Sequence, residues 1–88
     1  MRIKDGFELI KRDGQNIVVA KKGSGKITDN HIVLTDTASF LWNMLSEKDV
    51  TKAQMLEGLL ENFNISTVLA LGDIDIFIRT MRENGIIE

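Results

Sequence analysis

Residues 30–42 read NHIVLTDTASFLW, and within them a strand pattern gives way to a helical one. Ile32 and Leu34 alternate with their neighbours at the period of two that is expected of a half-buried strand. The apolar residues that follow recur at the i, i+3, i+4 and i+7 spacing of one helix face: Ala38, Leu41, Trp42 and Leu45. Thr35 and Asp36, between the two patterns, can accept hydrogen bonds from the first N–H groups of the helix. The stretch predicts a short strand that leads directly into a helix, in a small α+β module.

The patterns on either side extend this module to three strands followed by three helices. We expect strands over Phe7–Arg12, Ile17–Ala20 and His31–Leu34, with a hairpin turn at Asp13-Gly14 and a basic loop over residues 21–26. We expect helices over Asp36–Ser46, Lys52–Asn62 and from Ser66 or Thr67 to about Asn84, with Thr51 capping the second and Gly85 ending the third. Ile86-Ile87 should then return to the core. The inner face of the second helix is predicted to be Met55, Leu56, Leu59, Leu60 and Phe63.

Composition narrows the function classes. The 88 residues suffice for one domain, and 43% hydrophobic residues suffice for an apolar core without disulfides, since there is no cysteine. The net charge of −2 argues against a dedicated nucleic-acid binder, because such proteins usually neutralise phosphates with a basic excess. Neither a signal peptide nor an apolar run long enough to cross a membrane is visible, so we expect a cytoplasmic protein without a membrane partner.

Catalytic and cofactor motifs are missing from the sequence. A single His cannot supply an HExxH metal site, and no Cys is present as a nucleophile. Gly23-Ser24-Gly25-Lys26 lacks the spacing of a phosphate-binding loop. Asp73 and Asp75, two positions apart on a helix, point to different faces and do not form a carboxylate pair. We expect a protein that is not an enzyme and that needs no cofactor.

The third predicted helix carries two apolar strips. The broader strip, which should face the core, consists of Ala70, Ile74, Phe77, Ile78 and Met81. Leu69 and Ile76 lie off that face and form a narrower strip with Asp73 and Thr80. This second strip is either one wall of a peptide groove, rimmed by Arg79, Arg82 and Glu83, or a set of surface residues that contacts solvent or a second copy of the chain.

The order of these signals resembles the PqqD family, which is named for pyrroloquinoline-quinone biosynthesis. The same fold forms the RiPP recognition element, a domain that holds the leader peptides of ribosomally made, post-translationally modified peptides. Where the family often has Leu-Asn-Glu-Thr, this chain has Leu34-Thr35-Asp36-Thr37, which keeps the capping chemistry. The residues that carry the resemblance are Ile32–Trp42, Thr51, Met55-Leu56, Leu59, Asn62-Phe63, Asp73-Ile74, Phe77-Ile78, Met81 and Gly85-Ile86-Ile87.

The resemblance implies a winged-helix-like fold, with a three-stranded antiparallel sheet followed by three helices. It also implies a leader peptide that adds as a strand beside the third strand, with the third helix as the other wall, and a modifying enzyme such as a radical SAM maturase as a further partner. The peptide-binding residues are then expected to be Asn30, His31, Ile32, Val33, Leu34, Leu69, Asp73, Ile76, Arg79, Thr80 and Glu83.

Two other functions stay open on the sequence alone. A winged-helix DNA-binding regulator has a similar element order, but its second or third helix should present Arg, Lys, Asn or Gln outward. The second helix here offers Glu57 and Glu61 with Gln54 and one Lys52, and the third mixes three acidic residues with only Arg79 and Arg82. A structural domain that forms a homodimer through the same strand edge is the second. Arg79 and Arg82, with the lysines of the 21–26 loop, either attract an acidic leader segment or form a solvated surface of mixed charge.

Overall fold

A computed structural model describes residues 1–21 and 32–88 of the chain. Asn30, His31 and the predicted basic loop after Lys21 lie outside the described residues. The elements are three strands followed by three helices, which confirms the predicted α+β order: β1 Phe7–Arg12, β2 Gln15–Ala20, β3 Ile32–Leu34, α1 Asp36–Glu47, α2 Lys52–Asn62 and α3 Thr67–Glu83.

The sheet is antiparallel throughout, in the order β1-β2-β3, so β3 lies at one edge. A two-residue turn joins β1 to β2, with Asp13 at φ 53° and Gly14 at φ 77°. Positive φ at both central residues is the type I′ turn, whose twist matches that of a hairpin and which Asp-Gly favours. β2 begins at Gln15, two residues before the predicted start at Ile17, so that Arg12 pairs with Gln15.

Side-chain caps fix where the helices begin. Thr35 is the only residue between β3 and α1, and its hydroxyl accepts a hydrogen bond from the Ala38 N–H at 3.2 Å. Thr51 caps α2 through a capping box with Gln54, in which each side chain accepts a hydrogen bond from the other residue's backbone N–H. At the far end of the domain, Gly85 has φ 68°, the left-handed conformation that ends a helix at glycine.

One apolar core lies between the sheet and the three helices. Its fully buried members come from β2 and from every helix, and Ile86 and Ile87 return to it as predicted: Val18, Leu41, Leu45, Val50, Met55, Leu59, Ala70, Ile74, Met81 and Ile86. The prediction that Leu60 belongs to this face is wrong, since Leu60 is 40% exposed. It lies about 100° around the helix from Leu59, which together with Met55 marks the buried line of α2.

The first residues of the chain also belong to the folded domain, which the sequence patterns did not predict. Ile3 forms a β-bridge with Ile87, and the Ile3 N–H donates to the Leu45 carbonyl at 3.1 Å. The Met1 amine hydrogen-bonds the Asp49 carboxylate at 2.6 Å, which lowers the pKa of that carboxyl. None of the helices in the described part of the chain is long and apolar enough to cross a membrane.

Candidate functional site

A groove of about 170 Å³ separates the edge strand β3 from helix α3. Because β3 is the last strand of the sheet, one of its two edges is turned away from β2 and borders this groove. The groove is mostly apolar, and its polar lining residues are Thr35, Asp73 and Thr80. Its lining residues are Ile32, Val33, Leu34, Thr35, Ala38, Asp73, Ile76, Phe77, Thr80 and Met81.

The hairpin register determines which backbone groups face the free edge of β3. Gln15 faces Arg12 across the two-residue turn, where the closing pair of a hairpin is hydrogen-bonded, and hydrogen-bonded pairs alternate with non-bonded pairs along an antiparallel ladder. Ile17, two residues further on, therefore directs its N–H and C=O toward β1. Since Val33 is opposite Ile17 in β3, this pair is a non-bonded one, and the N–H and C=O of Val33 point away from β2. Val33 thus offers one donor and one acceptor at the free edge.

Helix α3 supplies the apolar wall opposite this edge. Phe77 and Met81 belong to the buried face of the helix, so they form the floor of the groove where it meets the core. Ile76 lies about 100° around the helix from Phe77 and remains 55% exposed, so its side chain rises beside the floor. A half-covered aliphatic side chain in this position gives the groove apolar surface that is still open to a ligand.

A chain of hydrogen bonds beside the groove joins α1 to α3. The Thr37 hydroxyl donates to Asp73 Oδ2 at 3.0 Å, and the hydroxyls of Thr35 and Thr37 are 3.2 Å apart. Because the single hydroxyl proton of Thr37 is given to Asp73, the bond between the two threonines must be donated by Thr35. Thr35 in turn accepts from the Ala38 N–H. The chain therefore runs in one direction and ends on the Asp73 carboxylate.

Six of the residues that the sequence analysis assigned to peptide binding line this groove together: Ile32, Val33, Leu34, Asp73, Ile76 and Thr80. Asn30 and His31 lie outside the described residues. Leu69 is 63% exposed on the preceding part of α3 and is not a lining residue. For these three residues, a role in binding stays a prediction.

Arg79 and Glu83 line a different depression, of about 570 Å³, on another side of α3. Lys52 and Asp75 share this second depression, where Lys52 Nζ lies 2.6 Å from Asp75 Oδ1. Arg82 lies there as well, so the three residues expected to rim the groove line this depression instead. This arrangement also confirms that Asp73 and Asp75 point to different sides of the helix.

Comparisons with known proteins identify the family and the fold of the chain. Residues 18–87 match the protein family described as Coenzyme PQQ synthesis protein D (PqqD). The chain belongs to the PqqD family. No curated protein matches it.

Among solved structures, this PqqD-family chain is similar to TbiB1 in complex with the TbiA(beta) leader peptide. The TM-score is 0.72 at 15% sequence identity, over 100% of this chain and 95% of the TbiB1 chain. The likeness confirms the predicted fold over the whole length of the domain.

Four groove residues were not among the predicted site residues of this PqqD-family chain: Thr35, Ala38, Phe77 and Met81. Thr35 and Ala38 were assigned to the start of a helix, and Phe77 and Met81 to the core, and both assignments are correct. A residue can fill such a role and still expose one side to a groove, which periodicity cannot show. Within residues 1–21 and 32–88, no three His, Cys, Asp or Glu side chains are placed to hold a metal ion.

Proposed function

We propose that this protein binds the leader segment of a ribosomally made precursor peptide and presents the rest of that peptide to a modifying enzyme. The leader adds as a fourth strand along the free edge of β3 and places side chains against α3. The protein itself performs no chemistry in this proposal. The catalytic partner is a separate enzyme, of which a radical SAM maturase is the example that membership of the PqqD family suggests.

The orientation of Val33 is the observation that carries this proposal. Strand addition needs an N–H and a C=O at the edge of a sheet that are not already bonded within it. Val33 offers both, and no hydrogen bond among the described residues uses either group. Its side chain is 51% exposed, so the approach to the strand is open. The backbone of an extended peptide can therefore bond to β3 without breaking its pairing with β2.

The size and lining of the groove support a peptide over a small molecule. Pockets that enclose drug-sized ligands usually measure roughly 300–1,000 Å³. The groove between β3 and α3 is smaller, at about 170 Å³. It suits one or two side chains of a chain that passes over it, with Ile76 and Phe77 as the apolar contacts. Strand addition of this kind takes affinity from backbone bonds and specificity from such side-chain contacts.

The similarity to TbiB1 supports the same proposal, because that protein was solved with a leader peptide bound. The two chains share the fold at low sequence identity, so the similarity supports a leader peptide as the class of ligand and does not identify the peptide. The chemistry of the peptide must be inferred from the residues of this chain.

An NMR titration tests the proposal. The ¹⁵N-labelled protein is titrated with synthetic leader peptides of the short precursor genes encoded beside its own gene. We expect amide shifts at Ile32–Thr35 and at residues 73–81 of α3, with few shifts in α2. A folded protein that shows no shifts with any of these peptides would contradict the proposal. Sedimentation at several protein concentrations is run in parallel, since a dimer that pairs through β3 would show that the edge serves self-association.

A further inference from the structure

The groove has a marked charge asymmetry. Of the ten lining residues within residues 1–21 and 32–88, only Asp73 carries a charge, and none is basic. The basic residues expected nearby, Arg79 and Arg82, line the depression on another side of α3. An acidic peptide segment in the groove would therefore meet a carboxylate and no compensating cation among the described residues.

Asp73 is held in place and keeps unused acceptor capacity. It is half-buried, and the hydrogen bond from Thr37 to Oδ2 fixes one of its two oxygens. A carboxylate has about four acceptor sites, and no other hydrogen bond or ion pair of the described residues reaches Asp73. Three acidic side chains of the described residues do have a cationic partner: Asp49, Asp75 and Glu88. Asp73 thus presents a positioned negative charge to the groove, and no cation in the described part of the chain neutralises it.

We infer that Asp73 makes the groove selective for a peptide that carries a Lys or Arg close to the apolar residue seated against Ile76. This inference rests on the proposed function and adds a substrate class to it. Asp73 and Ile76 lie three residues apart on α3, which separates their Cβ atoms by about 5–6 Å. Side chains on one face of an extended peptide recur every two residues, at roughly 6.6 Å. The basic residue should therefore be two positions from the apolar one.

A purely structural role for Asp73 makes a different prediction. In that case its function is to receive the Thr37 hydrogen bond and to complement the partial positive charge at the N-terminus of α1. Asp73→Asn keeps an oxygen that accepts from Thr37 and removes the charge, so a purely structural role predicts at most a lower Tm and an unchanged peptide preference. Asp75→Asn is the matched control, since it removes one negative charge from the same helix outside the groove.

The test selects binders from a random decapeptide library displayed on phage, against the wild-type protein and against Asp73→Asn. We expect peptides from the wild type to be enriched in Lys or Arg at one position, two residues from an aliphatic or aromatic one. We expect that enrichment to disappear with Asp73→Asn and to persist with Asp75→Asn. Binders to the wild type that carry no preferred basic position would overturn the inference but leave peptide binding by the groove intact. A selection without any binder that shifts groove amides would overturn both.

A double-mutant cycle then measures the contact itself. One selected peptide is synthesised with its Lys and with norleucine in place of that Lys. Hydrogen bonds to charged groups are stronger than those between neutral groups, but partial exposure of this site to water weakens them. Either Asp73→Asn or the norleucine peptide should therefore weaken binding about fivefold to tenfold. The two changes together should cost little more than one alone. Two losses that multiply independently would show that Asp73 and the basic residue do not interact.

Discussion

Replacing Ile76 with Asp should remove most peptide binding while leaving the domain folded. The Ile76 side chain is 55% exposed in the free protein, and it lines the groove beside Phe77. Fully burying an isoleucine is worth about 1.5–3 kcal/mol, so covering the exposed half with a peptide is worth about 0.8–1.6 kcal/mol. That is about fourfold to fifteenfold in Kd. A buried carboxylate adds its own desolvation cost, so we expect a loss of at least about tenfold.

The same burial energies indicate that Ile76→Asp costs the domain little stability. The part of Ile76 that is already covered contributes less than half of the full burial energy, so Ile76→Asp should lower the free energy of unfolding by about 1 kcal/mol. For a domain of this size the Tm should fall by about 4–8 °C. The folded protein therefore remains available for the binding measurement.

The assay compares Ile76→Asp with Val68→Asp. Val68 is on the same helix and is 79% exposed, but it does not line the groove. Affinity for a leader peptide that shifts groove amides is measured by fluorescence anisotropy, and Tm by circular dichroism. We expect Val68→Asp to bind like the wild type. A Kd for Ile76→Asp within twofold of the wild type would refute the groove as the binding site, and a fall in Tm of more than about 15 °C would show that Ile76 belongs to the core.

Three further predictions concern the strand edge and the helices. Val33→Pro removes the N–H that faces the free edge, so peptide affinity should fall at least about tenfold. Val33→Thr keeps that N–H and should retain the affinity of the wild type. Equal Kd values for the two variants would exclude strand addition at this residue. Gly72→Ala, where the new Cβ meets open space, should raise the free energy of unfolding, measured in urea, by about 0.5–1 kcal/mol. Gly58→Ala should gain less stability, because its Cβ would lie 3.0 Å from Met44 Sδ. A larger gain for Gly58→Ala than for Gly72→Ala would contradict this account of α2 packing. Thr51→Ala breaks the capping box and should cost about 1 kcal/mol, and an unchanged Tm would show that the cap adds no stability.

Local chemistry explains why the element boundaries could be predicted from the sequence. Positive φ is favoured locally at Asp13-Gly14 and at Gly85. Thr51 accepts a hydrogen bond from a backbone N–H only three residues further along the chain. Such signals do not depend on the rest of the fold. The three helices and the hairpin were therefore predicted with their types and nearly with their limits.

The candidate site could be predicted only in part, because it depends on how α3 is rotated against β3. Periodicity correctly separated Ile76 from the buried face of α3, and Ile76 does line the groove. The same pattern could not show which way Arg79 and Glu83 would point, and both line another depression. The hydrogen bond from Thr37 to Asp73 joins residues 36 positions apart in the sequence, so no local pattern predicts it.

The direction in which the N–H and C=O of Val33 point also could not be predicted from the sequence patterns. It follows from the register of both strand pairs, which the Asp13-Gly14 turn fixes on one side and the pairing of Ile17 with Val33 on the other. A shift of one residue in either pair would turn the N–H of Val33 inward, toward β2. The free edge is thus a property of the assembled sheet.

Amide hydrogen exchange at Val33, measured by NMR in the free protein and with a bound leader peptide, tests strand addition most directly. Without peptide, the Val33 N–H should exchange rapidly, while those of Ile32 and Leu34 are protected by their bonds to β2. With peptide bound, the Val33 N–H should become protected as well. Protection at Val33 that does not change, while amides of α3 shift, would contradict strand addition and place the peptide on the helix alone.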